Sequence, residues 1–229
     1  MTNADAAATV VLVHGAWHGG WCWDKVVPLL TDAGVGSVAV ELPFTDLAAD
    51  VGATTAAIDA VDGPVVLVGH SYGGIVISEA GNHPSVRHLV YVCAFAADAG
   101  RSAASAVDEQ TTPTELGKGF VIDDGLVTLD RAIARACFYG DCDPAEADAA
   151  LDRLRPIAFA CFTDTVTTAA WRTKPSTYAL CTEDRAVHPD LQRALAAGCT
   201  TVVEWPTSHS PFLSQPALVA DLLVNVARA

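Results

Sequence analysis

The sequence predicts an α/β fold built on a mainly parallel sheet with helices on both faces. Two observations carry this expectation. Short apolar runs rich in β-branched residues alternate with runs of helical spacing up to about Phe95, and the same rhythm returns from Pro175 to the end of the chain. Glycines and prolines punctuate the changes from one kind of run to the other. The 229 residues suit one large domain of this kind or two small ones.

Taken in order, "TVVLVH" (9–14) reads as a strand buried on both faces, and the Gly-rich loop "GAWHGG" follows it. "WCWDKVVPLLTDAG" has apolar residues near helical spacing and stops at Gly34. "VGSVAVEL" reads as a second strand and "LAADVGATTAAIDAVDG" as a helix ending at Gly63. "PVVLVG" is a third strand, "YGGIVISEAGNHP" a helix broken by Gly81 and Pro84, and "VRHLVYVCAF" a fourth strand. After residue 174 the pattern resumes with strand "PSTYALC", helix "HPDLQRALAAG", strand "TTVVEW" and a last helix "QPALVADLLVNVARA". Between these halves, residues 96–174 change character. "AFAADAGRSAASAVDEQTT" is rich in Ala and Ser, no strand of comparable strength is visible, and "DRAIARACFYG" and "DPAEADAALDRLRP" read as helices. The second has a clear start: Asp143 as N-cap, Pro144 at N1, Glu146 at N3. The expected organisation is a core formed by residues 1–95 and 175–229, with residues 96–174 as a helical insertion.

Composition narrows the function classes. Hydrophobic residues make up 51% and charged residues 17%, enough apolar surface for a sizeable core and little reason for long disorder. A net charge of −14 with no basic stripe argues against nucleic acid as a partner. No run approaches the roughly 18 apolar residues a membrane helix needs. The N-terminus lacks the basic and apolar regions of a signal peptide. Seven cysteines, none in a CxxC pair, read as small buried apolar residues in a reducing compartment. A cytoplasmic protein is expected, with no membrane partner. A homodimer is compatible with the sequence.

The chemistry centres on "GHSYGG" (69–74). Ser71 falls at the junction of a strand and a helix, flanked by Gly69 and Gly73. A strand-to-helix turn this tight brings backbones together, and glycine removes the Cβ atoms that would collide. The serine is then held on a strained turn at the carboxyl end of the strand, where ligands of α/β sheets bind. A serine hydroxyl needs a base. Of seven histidines, His209 fits best, in the loop between "TTVVEW" and the last helix. His14, His18 and His70 lie near the front of the sheet, while His83, His88 and His188 adjoin turn or helix-start signals. The base needs an acid to hold its tautomer. The loop after "PSTYALC" offers Glu183, Asp184 and Asp190. Asp190 suits the first turn of the next helix, and spacing alone does not separate Asp184 from Glu183. Oxyanion donors are expected from the backbone N–H of Tyr72 and from the loop after the first strand, at Ala16 or Trp17. That loop lacks both GxGxxG and a P-loop lysine, so no nucleotide is expected. His14 and His18 are four apart, but glycines at 15, 19 and 20 oppose a helical metal pair, so no metal is expected. No cofactor signature is present.

With these residues in place, "VLVHGAWHGGWCWDKVVPLL", "VVLVGHSYGG", "CTEDRAVHPDLQ" and "SHSPFLSQP" together resemble the α/β-hydrolase branch that holds plant methyl-ester esterases, hydroxynitrile lyases and small bacterial esterases. The resemblance implies Ser71, Asp184 and His209 as a catalytic triad, settling Asp184 over Glu183. It implies Ala16 and Tyr72 as oxyanion donors and residues 96–174 as a cap over the pocket. Trp17, His70, Phe138, Phe159, Phe162 and Phe212 are the candidate pocket residues. Too few residues precede "TVVLVHG" for the leading antiparallel strands of the full fold, so six mainly parallel strands are expected. The lyases of this branch carry a lysine just after the catalytic histidine and a threonine in the first loop; Ser210 and Gly15 stand there. The resemblance implies a cofactor-independent serine esterase acting on a small apolar ester, with a hydroxynitrile-lyase-like or other non-hydrolytic enzyme on the same triad, or a small-molecule binding protein of this fold, as the alternatives.

Overall fold

The structure, a computed structural model, describes residues 7–229. Residues 1–6, which enter the signal-peptide reading, lie outside the described residues. The core is a six-stranded sheet formed by β1 (Thr9–Val13), β2 (Ser37–Ala39), β3 (Val65–His70), β4 (Val86–Val92), β8 (Ser176–Cys181) and β9 (Thr201–Trp205), in the order β2-β1-β3-β4-β8-β9. Every pairing in it is parallel. β1, β3 and β8 are nearly continuous runs of buried residues, as strands covered on both faces must be. The second strand is shorter than its sequence suggests. Only three residues pair with β1, and as the sheet edge they stay partly exposed.

Alternate residues face opposite sides of a strand, so the sheet divides the apolar residues into two cores. On one face Val10, Leu12, Val66, Val68 and Val90 pack with α1 (Val26–Asp32), the short α9 (Pro211–Ser214) and α10 (Pro216–Arg228). On the other, Val11, Val13, Leu67, Leu89 and Tyr178 pack with α2 (Leu47–Asp59), α3 (Gly73–Ala80) and α8 (Pro189–Ala196).

Between β4 and β8 the chain forms the two expected helices, α5 (Arg131–Phe138) and α6 (Pro144–Leu151), together with two that the sequence reading does not contain, α4 (Ala103–Asp108) and the short α7 (Ala160–Thr163). Asp143 caps α6 by accepting from Ala145 and Glu146 N–H groups. The structure adds a feature the sequence reading did not contain. β5 (Phe120–Asp123), β6 (Leu126–Leu129) and β7 (Ile157–Ala158) make a small antiparallel sheet. Its hairpin turns on Asp124 (φ +45°) and Gly125 (φ +75°), the two positive φ values of a type I′ turn. The cap is therefore mixed rather than purely helical.

All seven cysteines are free, five of them buried. No helix of the described residues is long and apolar enough to cross a membrane.

Strand order places the site. The chain leaves β1 toward β2 and then returns to β3 on the other side of β1, so neighbouring β1 and β3 feed loops in opposite directions. This is the topological switch point of an open parallel sheet, where a crevice opens at the carboxyl ends of the strands.

Candidate active site

Ser71 lies one residue past β3, at φ +51°, a left-handed conformation that a serine adopts only when its surroundings enforce it. The enforcement is visible. Ser71 N–H donates to Val92 O at 3.2 Å, and Ser71 O accepts from Gly74 N–H at 2.9 Å and Phe95 N–H at 3.1 Å. The glycines leave no room for side chains. A Cβ on Gly69 would stand 2.6 Å from Gly73 O, and one on Gly73 would stand 2.7 Å from both Val13 O and His14 O. Gly15 is equally tight: its Cβ would meet the Ser71 Cβ at 2.9 Å, so the loop after β1 lies directly against the serine.

β8 and β9 are neighbours, so the loops that follow them meet. His209 Nδ1 and Asp184 Oδ2 are 2.7 Å apart, with both side chains buried. Asp184 is held by further donors. Oδ1 accepts from Ala186 and Val187 N–H groups at 2.7 and 3.0 Å, and Oδ2 accepts from Gln192 Nε2 at 2.9 Å. A carboxylate that only accepts keeps the His209 proton on Nδ1 and leaves Nε2 as the basic nitrogen. Neither His209 Nε2 nor Ser71 Oγ makes a hydrogen bond to the described residues. Base–nucleophile contacts of this kind commonly tighten only with substrate bound. Asp190, on α8, bonds Arg193 and Thr112 instead, and the Glu183 side chain makes no hydrogen bond to His209.

The backbone N–H groups of Ala16 and Tyr72 have no acceptor among the described residues, and Ala16, Tyr72 and Ser71 line one cavity of about 210 Å³. The walls are mostly apolar, with Trp17, Phe95, Phe120, Phe159 and Phe162 among them; Asp108 is the one charged residue in the lining. Of the candidate pocket residues, Trp17, Phe159 and Phe162 line this cavity; His70, Phe138 and Phe212 do not. Phe138 stacks on the His209 ring with centroids 5.5 Å apart, and Phe212 packs edge-on against His70 at 4.8 Å. His70 lies behind His209. Its Nε2–H donates to His209 O at 2.8 Å, and Cys93 Sγ reaches the same oxygen at 3.4 Å. Burial holds His70 well below the usual histidine range, so it stays neutral.

His14 and His18 are likewise committed. Leu42 N–H donates to His14 Nε2, and Tyr139 OH bonds His18 Nε2, leaving neither ring free for a metal. His70, Cys93 and His209 offer ligand atoms within 4.8 Å of one another; His70 Nε2, Cys93 Sγ and His209 Nδ1 are engaged in the contacts just described, while His70 Nδ1 and His209 Nε2 make no hydrogen bond among the described residues.

One residue that sequence reasoning missed is Asp50. It is buried in α2 and accepts from Tyr72 OH at 2.7 Å and Phe44 N–H at 2.9 Å, so it anchors the residue next to Ser71. Burial raises its pKa. The signal was available: Leu47, Asp50, Thr54 and Ile58 form the buried stripe of α2, and an acid in such a stripe calls for a partner.

Fold and site together define an open parallel α/β domain with a left-handed serine on a tight strand-to-helix turn at the switch point. A model of the alpha/beta hydrolase family matches residues 10–222, and the chain belongs to that family. It is 31% identical to an alpha/beta hydrolase, nvfD, from Aspergillus novofumigatus, over 95% of this chain and 96% of that one. It is 28% identical to Methylesterase 2 of Arabidopsis thaliana, covering 95% of each. Among solved structures, a pyrethroid hydrolase from Sphingobium faniae JZ-2 superposes with a TM-score of 0.84 at 24% identity, over 97% of this chain and 98% of that one.

Proposed function

We propose that the protein is a cofactor-independent serine esterase acting on small apolar carboxylic esters. The observation that carries this reading is one apolar cavity shared by a strained serine and two backbone N–H groups without acceptors. His209 Nε2 takes the Ser71 proton as Oγ attacks the ester carbonyl. The N–H groups of Ala16 and Tyr72 hold the oxyanion, and Asp184 stabilises the imidazolium. The imidazolium returns its proton to the leaving alkoxide, which departs as the alcohol. Water then gives a proton to the same histidine and attacks the acyl-enzyme, releasing the acid and restoring Ser71. The apolar walls suit uncharged acyl groups, and similarity to a methylesterase supports ester over amide chemistry. Seven free thiols suit a reducing, cytoplasmic setting.

The lyase alternative finds less support. A threonine at position 15 would place its Cβ 2.7 Å from His70 Nδ1. Ser71→Ala is expected to abolish p-nitrophenyl ester hydrolysis while the far-ultraviolet circular dichroism stays unchanged. Retained turnover would sink the mechanism.

A further inference from the structure

The peptide bearing the Ala16 N–H belongs to a turn that the core does not hold by itself. Trp17 lies at φ +62°, in the left-handed region, although it is a bulky, buried residue. Such a conformation costs about 1–3 kcal/mol and persists only where neighbours over-determine it. The neighbours here come from the cap. Trp17 Nε1–H donates to Val127 O at 3.0 Å, and Arg155 N–H donates to Trp17 O at 2.7 Å. The Arg155 guanidinium donates to His18 O at 3.1 Å and to Leu42 O at 3.2 Å, while Glu41 pairs with it at 2.6 Å.

A second link runs through His18. Its Nδ1 is 2.9 Å from Ala16 O, and its Nε2 is 2.9 Å from Tyr139 OH. Burial lowers the His18 pKa to about 4, so the ring is neutral and has one N–H. Ala16 O can only accept, which puts that proton on Nδ1. Nε2 must then accept from the Tyr139 hydroxyl. The Ala16 carbonyl thus fixes the His18 tautomer, and the Tyr139 hydroxyl of the cap holds the ring that grips that carbonyl.

We infer that Arg155 and Tyr139 are positioning residues of the oxyanion loop: besides roofing the cavity, the cap locks the Gly15–His18 turn so that the Ala16 N–H is presented to the acyl oxygen. The inference rests on the serine-esterase reading above. It makes the cap a participant in the chemical step as well as in substrate selection.

The test compares Arg155→Met and Tyr139→Phe with the wild-type protein on p-nitrophenyl acetate, together with inhibition by a trifluoromethyl ketone, whose serine adduct carries an oxyanion. Losing one oxyanion donor outright lowers kcat by about 10²–10³-fold. Displacing one should cost roughly 10- to 100-fold for Arg155→Met and roughly 3- to 10-fold for Tyr139→Phe. KM should stay within about twofold, the pattern of an interaction made only in the transition state, and ketone affinity should fall in step with kcat. Arg131→Met removes ion pairs to Asp148 and Asp152 within the cap and should leave kcat unchanged. Wild-type kcat in both variants overturns the inference. So does a rise in KM alone, or a fall in kcat with ketone affinity intact. Tyr139→Phe deletes one hydroxyl and keeps the test decisive if Arg155→Met fails to fold. Turnover by Ser71→Ala would instead overturn the serine mechanism, so the two failures are read separately.

Discussion

Ser71 is forced into its left-handed conformation because three backbones converge on it. The start of α3, the carboxyl end of β1 and the segment after β4 all pass within contact distance of the elbow, and each of its glycines faces a different one. Gly69 meets the carbonyl of Gly73, Gly73 meets those of Val13 and His14, and Gly74 meets Phe95 N and O at 2.7 Å. These neighbours are main-chain atoms, which cannot rotate away as a side chain can. Gly73→Ala should therefore be destabilised by about 2–3 kcal/mol through overpacking. At this chain length that corresponds to a melting temperature lower by roughly 5–10 °C. An unchanged thermal midpoint would show that the elbow is looser than these contacts imply. His70, the sequence neighbour of Ser71, bonds His209 instead, holding its backbone through the carbonyl.

At the scale of elements, legibility followed burial. β1, β3, β4 and β8 were readable because strands covered on both faces are continuous apolar runs. β2 was over-read, since an edge strand need pair on one side only. The cap hairpin was missed although "VIDDGLVTL" holds an Asp-Gly turn between β-branched runs, the strongest short-range hairpin signal. Its strands are largely exposed, so no apolar run drew notice. Within the site, Ser71 and His209 could be named from loops at strand ends, whereas spacing left Glu183 beside Asp184 and only the family resemblance separated them. That the loops carrying Asp184 and His209 touch is a consequence of β8 pairing with β9. Arg155 and Tyr139 were not legible at all. Their partner His18 lies 137 and 121 residues away, and nothing local marks an arginine that will donate to a distant carbonyl.

For the whole molecule, the front of the sheet buries three histidines in neutral form. Burial lowers His14 to about 3 and His18 to about 4, and holds His70 well below the usual range. Because the folded values lie below the unfolded value of 6.5, the unfolded chain binds the protons first. Their contribution to stability is complete above that pH and is lost as the pH falls toward the folded values. Each histidine adds a slope of up to about 1.4 kcal/mol per pH unit on the acid side. Urea denaturation should give a nearly constant unfolding free energy above about pH 7 and a steep decline below about pH 6. A flat profile down to about pH 5 would mean that these rings are protonated in the folded protein.

The central claim is that Ser71 is the activated nucleophile, with its reactivity supplied by His209. A fluorophosphonate probe followed by peptide mass spectrometry measures this directly, because the probe reacts only with a serine whose proton a base removes. The structure predicts one modified peptide, with the label on Ser71, no label in Ser71→Ala, and much slower labelling in His209→Ala. Absence of labelling in the folded wild-type protein, labelling at another residue, or an undiminished rate in His209→Ala would contradict it.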